Sequence, residues 1–285
     1  MKEYRDKVVA ITGCASGIGM ELVRQLAAKG AKFSLADIGD DRLAAFQQEL
    51  EAQGVEAIAT HVDVRDPEQM EAFAARTYDK FGRVDYCFSN AGISAVGNAW
   101  KMPLSDWHWL LDVNVMGPAH AIRAFIPRMI EQDSECCFII TASAAGFVTA
   151  WGGAGYSASK HAVIGLAEAL EGDLQKAGAK VKSYVITPAY VQSNLHNSFD
   201  YRPEAEWDSK DPAYEDDDFN AAFGRSVKST SADGGVGIPT QDAVQAILKG
   251  LDEDHFIIMT HPQYGPIIEA RYHNLMTGVR PVYKG

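Results

Sequence analysis

The sequence predicts a doubly wound α/β fold, in which a single domain over residues 1–285 is built on a central parallel sheet of about seven strands. From residue 7 to about residue 187, short apolar segments alternate with longer amphipathic segments, as βαβ units do. A glycine-rich turn follows the first apolar segment directly. The 285 residues are 47% hydrophobic and 22% charged, which allows a large core and excludes disorder or a coiled coil as a description of the whole chain.

Strands are expected where the apolar segments are short and continuous, because helices cover both faces of a parallel sheet. Between them, apolar residues recur at helical spacing. One such segment is 20–30, where Gly30 ends the predicted helix. The predicted strands are residues 8–12, 32–37, 57–62, 86–89, 137–141, 180–186 and 255–260.

Segment 195–238 interrupts this pattern, since it is rich in Asp, Glu, Pro, Ser and Gly and is followed by another predicted strand. A long insertion of this kind inside a compact domain is typically functional or poorly ordered. We therefore interpret it as a mobile substrate lid. Its aromatic residues are Phe199, Tyr201, Trp207, Tyr214, Phe219 and Phe223.

Charge and composition exclude several classes of partner. The 38 acidic and 26 basic residues give a net charge of -12, which argues against nucleic acid, because phosphate binding needs clustered Lys and Arg. The four cysteines have no metal-ligand spacing, so no metal is expected and reduced thiols are predicted. No apolar segment has the length of a signal peptide or a membrane span. We therefore expect a cytoplasmic protein without a membrane partner.

The glycine-rich turn, TGCASGIG, indicates a dinucleotide site. Gly13, Gly17 and Gly19 open the first helix and let the backbone approach a pyrophosphate at the helix N-terminus. Asp37 ends the second strand, where an acid accepts hydrogen bonds from ribose hydroxyls and repels a 2'-phosphate, which favours NAD over NADP. An ordinary loop at the turn, and a helix cap or solvated loop acid at Asp37, are the alternatives.

Later strand ends bring further residues to the same edge of the sheet. Asp63 and Val64 follow the third strand, and Asn90, Ala91 and Gly92 follow the fourth. Because ligands of open α/β sheets bind at the carboxyl ends of the strands, these positions are predicted to converge on one crevice.

Four polar residues are candidates for the chemistry. Tyr156 and Lys160 lie four apart on a predicted helix, and therefore on one face of it. A free tyrosine has a pKa of about 10, and a nearby ammonium lowers it. Ser143 follows the fifth strand and can donate a hydrogen bond to a substrate oxygen, and Asn114 lies in an earlier helical segment. Each alone is also typical of a surface pair, a cap or a turn.

In combination, TGCASGIG, SNAG and the ordered set Asn114, Ser143, Tyr156 and Lys160 resemble the short-chain dehydrogenase/reductase family over about residues 7–193. The resemblance implies a Rossmann fold that binds NAD. It also implies that Tyr156 exchanges a proton with the substrate oxygen, which Ser143 positions. Lys160 would lower the pKa of Tyr156 and hold the nicotinamide ribose, and Asn114 would anchor a water of a proton relay. A looser resemblance links the chain to bacterial Cα-dehydrogenases of lignin-derived aryl ethers.

The resemblance also implies a set of cofactor contacts, with Asp63 and Val64 at the adenine and Val191 at the nicotinamide carboxamide. Two residues depart from the family pattern: Ser89 replaces the first Asn of NNAG, and Ala189 replaces a Gly after Pro188, which could aim that loop differently. The predicted cofactor set is Gly13, Ser16, Gly17, Ile18, Gly19, Asp37, Asp63, Val64, Asn90, Ala91, Gly92, Tyr156, Lys160, Pro188, Val191 and Ser193.

The substrate is predicted from the residues around the expected position of its oxygen, beside Tyr156. Apolar and aromatic walls favour a bulky, aromatic or alicyclic secondary alcohol or its ketone. A lyase or epimerase that uses NAD transiently and a non-catalytic dinucleotide sensor stay open as alternatives. The family also implies a homotetramer or homodimer. The predicted wall residues are Ala145, Phe147, Trp151, Tyr190 and Leu195, joined by the lid aromatics, Ile93 and Trp100.

Overall fold

The structure is a computed structural model that describes residues 3–203 and 210–281. Within these residues, seven strands form one parallel sheet in the order β3-β2-β1-β4-β5-β6-β7, which confirms the predicted doubly wound fold. The strands are β1 Val8–Thr12, β2 Lys32–Asp37, β3 Ala57–His61, β4 Tyr86–Ser89, β5 Cys136–Thr141, β6 Val181–Thr187 and β7 Ile257–Met259.

Helices cover both faces of the sheet and create two buried layers. Val9 and Ile11 belong to one layer, and Ala10 between them belongs to the other, because successive strand residues point to opposite faces. No helix of the described chain is long and apolar enough to span a membrane. The helices are α1 Gly17–Ala27, α2 Asp40–Ala52, α3 Pro67–Phe81, α4 Leu104–Leu111, α5 Gly117–Glu131, α6 Ala154–Ala177, α7 Asp217–Thr230, α8 Thr240–Asp252 and α9 Gly265–Thr277.

The largest difference from the predicted strands concerns β7, which covers only three of the six residues 255–260. This strand lies at the sheet edge and pairs with β6 alone. Residues beyond the pairing therefore have no ladder partner and leave the strand. The order of the strands reverses between β1 and β4, so a crevice opens at their carboxyl ends, where open α/β sheets bind ligands.

The predicted lid, 195–238, folds onto the body of the domain. Residues 204–209, which include Trp207, lie outside the described residues. The described parts are a 3₁₀ segment Leu195–Tyr201, a short 3₁₀ turn Pro212–Tyr214 and helix α7.

A buried contact attaches the lid to helix α4. The carboxylate of Asp106 is fully buried and accepts hydrogen bonds from the guanidinium of Arg202 and, at 2.7 Å, from the hydroxyl of Tyr214. Beside them, the ring of Phe199 contacts Trp109 at 5.5 Å and Tyr214 at 5.8 Å. The lid segments before and after residues 204–209 therefore meet at one carboxylate of the body. Mobility of the lid stays a prediction.

Candidate active site

The glycine-rich turn connects β1 to α1 and needs glycine for two reasons. Gly13 and Gly17 have φ values of 65° and 49°, in the left-handed region that favours glycine. A Cβ on Gly19 would lie 2.1 Å from the carbonyl oxygen of Gly13. Helix α1 can therefore approach the turn closely, and its N-terminus, with its positive end, borders the crevice.

Asn90 holds this turn in place from the neighbouring strands. Its Nδ2 donates to the carbonyl oxygens of Thr12 at 3.2 Å and Gly13 at 3.1 Å. Its Oδ1 accepts from the hydroxyl of Thr141 at 3.1 Å. The Asn90 side chain thus connects the ends of β1 and β5 across β4, and Ala91 and Gly92 continue along the crevice.

Asp37 connects the end of β2 to the same turn. One carboxylate oxygen accepts from the amide of Ala15 and the other from the amide of Gly39, both at 2.9 Å. Asp37 is only 7% exposed, which excludes the alternative of a solvated loop acid. The alternative of a helix cap is excluded too, because Gly39 is the N-cap of α2 and α2 begins without a side-chain cap.

The crevice consists of two adjoining cavities. Asp37, Asp63 and Val64 line the first, and Tyr156 and Lys160 line the second. Every residue of the predicted cofactor set lines one of the two, although their contacts with a cofactor stay a prediction. The residues that line both are Gly13, Ser16, Ala91, Gly92 and Tyr201.

Several lining residues were missed by the sequence analysis. Arg42 and Arg65 line the first cavity, and Ser198 and Thr230 of the lid line the second. Arg42 could have been found from the sequence, because it follows the end of the second predicted strand by only five residues. No sequence signal marks the two lid residues, because the folding of the lid over the sheet edge decides their position.

Tyr156 and Lys160 lie one turn apart on α6 and share the wall of the second cavity. The Lys160 ammonium lies 5.6 Å from the centroid of the Tyr156 ring and donates to the carbonyl oxygen of Thr141 at 3.1 Å. Ser143, two residues after β5, lines the same cavity, and its hydroxyl donates to the carbonyl oxygen of Pro188 at 3.2 Å. The structure therefore brings the predicted hydroxyl, phenol and ammonium together.

Asn114 lies in a π-helical turn, Asp112–Met116, rather than in the regular helix that the sequence suggests. Its Oδ1 accepts from the amide of Ile93 at 2.9 Å, and its Nδ2 donates to Ser159 Oγ at 3.0 Å. Single π-helical turns often occur at functional sites, where they redirect a side chain. A Cβ on Gly92 would lie 3.3 Å from both Asn114 Oδ1 and Lys160 Nζ, so these two polar atoms flank Gly92.

Burial controls the acid–base properties of the pair. It raises the pKa of Tyr156, and the hydrogen bond from Ser143 lowers that pKa by less. Burial also lowers the pKa of Lys160 to about 8. The sequence predicts a lowered phenol pKa, but in the protein alone it is raised, because the buried environment disfavours both charged forms.

The pKa of Lys160 makes stability depend on pH. The unfolded chain, with a lysine pKa of about 10.4, holds the proton more tightly than the folded chain, so burial of the ammonium opposes folding fully below about pH 8. This penalty disappears as the pH rises from about 8 to about 10.4. We expect the stability advantage of Lys160→Met over the unmodified protein to shrink by about 3 kcal/mol between pH 7 and pH 10.5. Urea unfolding across this range measures it, and a constant difference would contradict the lowered pKa.

Of the predicted substrate wall that the structure describes, Leu195 and the lid aromatic Tyr201 line the cavity that holds Tyr156. Phe147 is buried in the core, and Tyr190 is half exposed. Trp151 stacks on the guanidinium of Arg225 at 3.7 Å. Ala145 is not among the residues that line the described cavities, Ile93 lines the first cavity, and Trp100 is exposed.

Most of the described lid aromatics pack on one another or on α4, whereas Tyr201 lines the cavity that holds Tyr156. Tyr214 contacts Phe219 at 5.3 Å, and Phe219 stacks on Phe223 at 6.0 Å. Phe199 packs against the main core beside Trp109, and the other rings bury apolar surface against their lid neighbours.

The loop after Pro188 accepts alanine where the family has glycine. Ala189 keeps its backbone outside the left-handed region, and its amide donates to Nδ1 of His261 at 3.4 Å. The carbonyl oxygen of Tyr190 then accepts a hydrogen bond from the amide of Ile238 at 2.9 Å. Ile238 at the end of the lid and His261, two residues after β7, therefore hold this loop. Pro188 and Val191 of the loop line the second cavity.

Comparisons with known proteins agree with this geometry. The family model for short chain dehydrogenase matches residues 7–203. A CLA biosynthesis dehydrogenase/reductase of Lactiplantibacillus plantarum is 32% identical over 99% of this chain and 97% of that protein. A C alpha-dehydrogenase of Sphingobium sp. is 28% identical over 99% of this chain and 89% of its own. A short chain dehydrogenase/reductase from Burkholderia phymatum, solved in complex with NAD, superposes with a TM-score of 0.94 at 33% identity and covers 100% of this chain and 99% of its own.

Proposed function

This chain belongs to the short-chain dehydrogenase/reductase family of oxidoreductases, and from that premise we propose that it transfers a hydride between NAD(H) and a bulky secondary alcohol or its ketone. One observation carries the proposal: Ser143, Tyr156 and Lys160 line a single cavity that adjoins the glycine-rich turn. A proton-transfer group and a dinucleotide cradle thus share one crevice.

The residues of the crevice fit a dinucleotide. Gly19 lets α1 pack closely on the glycine-rich turn, and the N-terminus of α1 at the crevice favours a pyrophosphate there. Asp37 would accept from the adenosine ribose, and Lys160 would bind the nicotinamide ribose. NAD, when bound, supplies the hydride acceptor and, in its oxidised form, a positive ring charge.

In the direction of alcohol oxidation, Tyr156 Oη takes the proton of the substrate hydroxyl while the carbinol hydrogen leaves as hydride. Ser143 Oγ, which lines the same cavity, would position the same oxygen. The ammonium of Lys160 would favour the phenolate form, and the burial that lowers its pKa to about 8 supports a role for it in passing on a proton. Asn114 would anchor a water that passes this proton on from the Lys160 side.

The proposed substrate class rests on the second cavity and on the relatives. Leu195 from the lid and Val191 supply apolar wall opposite Tyr156. Among the relatives are enzymes named for a hydroxypentalenate and for a Cα-dehydrogenation. An absorbance screen for NADH over aromatic and alicyclic secondary alcohols tests the proposal. Turnover without net NADH would favour a lyase or epimerase, and binding of NAD without any turnover would favour a sensor.

Cofactor preference provides a separate prediction at Asp37. The ratio of kcat/KM for NAD to that for NADP should exceed one, and Asp37→Ala should lower it about tenfold, because the carboxylate repels a 2'-phosphate. The control is Asp41→Ala, which removes an exposed acid from the first turn of α2 and should leave the ratio unchanged. Equal use of both cofactors by the unmodified protein would refute the assignment.

A further inference from the structure

An arginine lies beside Asp37 at the adenine end of the crevice. Arg42 belongs to the first turn of α2, and its Nη2 approaches Asp37 Oδ1 to 3.9 Å. Both residues line the first cavity. A cation in the first turn of a helix opposes the helix dipole, so helix preference does not explain this arginine.

The surroundings of Arg42 hold its guanidinium over the end of β2. The Tyr201 ring stacks on it at 4.3 Å from the other side of the crevice. A Cβ on Gly39 would lie 2.2 Å from Arg42 Nη2, so the glycine leaves room for the guanidinium where it lies. The side chain is still 44% exposed. Its planar group can therefore meet a ligand while one face is fixed.

The charges at this end of the crevice oppose each other. Asp37 already accepts two main-chain hydrogen bonds, and its remaining capacity suits ribose hydroxyls. The guanidinium offsets part of the carboxylate charge and has the fork geometry that binds phosphate. The same position therefore holds one group that excludes a 2'-phosphate and one that attracts it.

We propose that Arg42, held by Tyr201, is a second cofactor-specificity residue, which limits the NAD preference set by Asp37 and binds the 2'-phosphate of NADP once that carboxylate is removed. This inference rests on the proposed function, since it assumes that a dinucleotide lies in the crevice. The sequence assigns the preference for NAD over NADP to Asp37 alone, and the inference adds Arg42 as a second residue that affects it.

A double-mutant cycle tests the inference without any alcohol substrate. Dissociation constants of NAD and NADP are measured by titration calorimetry for the unmodified protein, Asp37→Ala, Arg42→Ala and the double variant. We expect Asp37→Ala to bind NADP about tenfold more tightly, and the double variant to lose that gain. Arg42→Ala alone should raise the preference for NAD. The gain of Asp37→Ala should also shrink as salt is added, because a partly exposed ion pair is screened.

Three variants in the Asp37→Ala background separate the effect of Arg42 from that of its neighbours. Tyr201→Phe keeps the stacked ring and should keep the NADP gain within about twofold, whereas Tyr201→Ala should lose most of it. Arg65 lines the same cavity, but its fork is held by Asp63 at 2.6 to 3.0 Å, so Arg65→Ala should keep the gain.

Two results would overturn the inference alone. They are an NADP gain that survives in the Asp37→Ala, Arg42→Ala protein, and a gain that disappears with Arg65→Ala instead. Failure of the unmodified protein to bind either dinucleotide would overturn the proposed function and the inference together.

Discussion

The Tyr156→Phe protein is expected to turn over at least about 10²-fold more slowly than the unmodified protein, while its affinity for NAD stays within a few-fold. The substitution removes the oxygen that exchanges the substrate proton and keeps the ring in place on α6. Ser143 and Lys160 still line the cavity, so the cofactor site keeps its walls. NADH formation measures the first effect, and a fluorescence titration with NAD measures the second.

The matched control for this prediction is Tyr272→Phe, which removes a phenol oxygen from an exposed position on α9. It should leave the rate unchanged. If Tyr156→Phe formed NADH at nearly the original rate, another group would be the base. A loss of NAD affinity equal to the loss of rate would instead indicate that the phenol binds the cofactor and contributes little to proton transfer.

The Asp106→Ala protein is expected to lose about 3–5 kcal/mol of the free energy that holds the lid on α4. The guanidinium of Arg202 and the carboxylate of Asp106 are almost completely buried, at 1% and 0% exposure. Removing one partner leaves a charge in a low-dielectric site, and it also removes the acceptor of the Tyr214 hydroxyl. Hydrogen exchange of residues 195–203 and 210–230 measures the loss, and urea unfolding measures the remainder of the domain.

Two further variants compare the loss of one buried charge with the loss of both charges and with the loss of an exposed ion pair. Asp106→Leu combined with Arg202→Met removes both charges, so it should cost less than either single change. Lys101→Ala breaks the exposed ion pair between Lys101 and Asp216 of the lid and should cost at most about 1 kcal/mol. Equal losses for the buried and the exposed pair would show that Arg202 and Asp106 do not hold the lid.

Sequence patterns were sufficient for the sheet and for the predicted cofactor set, which lines the crevice, but they missed other lining residues such as Arg42 and Thr230. Alternation of apolar segments predicted each strand to within a few residues, because a strand buried on both faces must be apolar throughout. The edge strand β7 was predicted least well, since its length depends on how much of β6 remains for pairing. Lid packing was also beyond the sequence, because an aromatic residue can bury its ring against a lid neighbour or a substrate with the same local pattern.

The sequence by itself determined where the glycines, Asp37, Ser143, Tyr156 and Lys160 lie, because local periodicity and backbone space constrain those residues one element at a time. The tertiary structure alone decided which charges meet. Asp106 and Arg202 form their buried pair across 96 positions of the chain, and Arg42 meets Tyr201 only because the lid folds over the end of β2. It also decided the sign of the pKa shift at Tyr156, since desolvation depends on everything packed around a group and not on its neighbours in sequence.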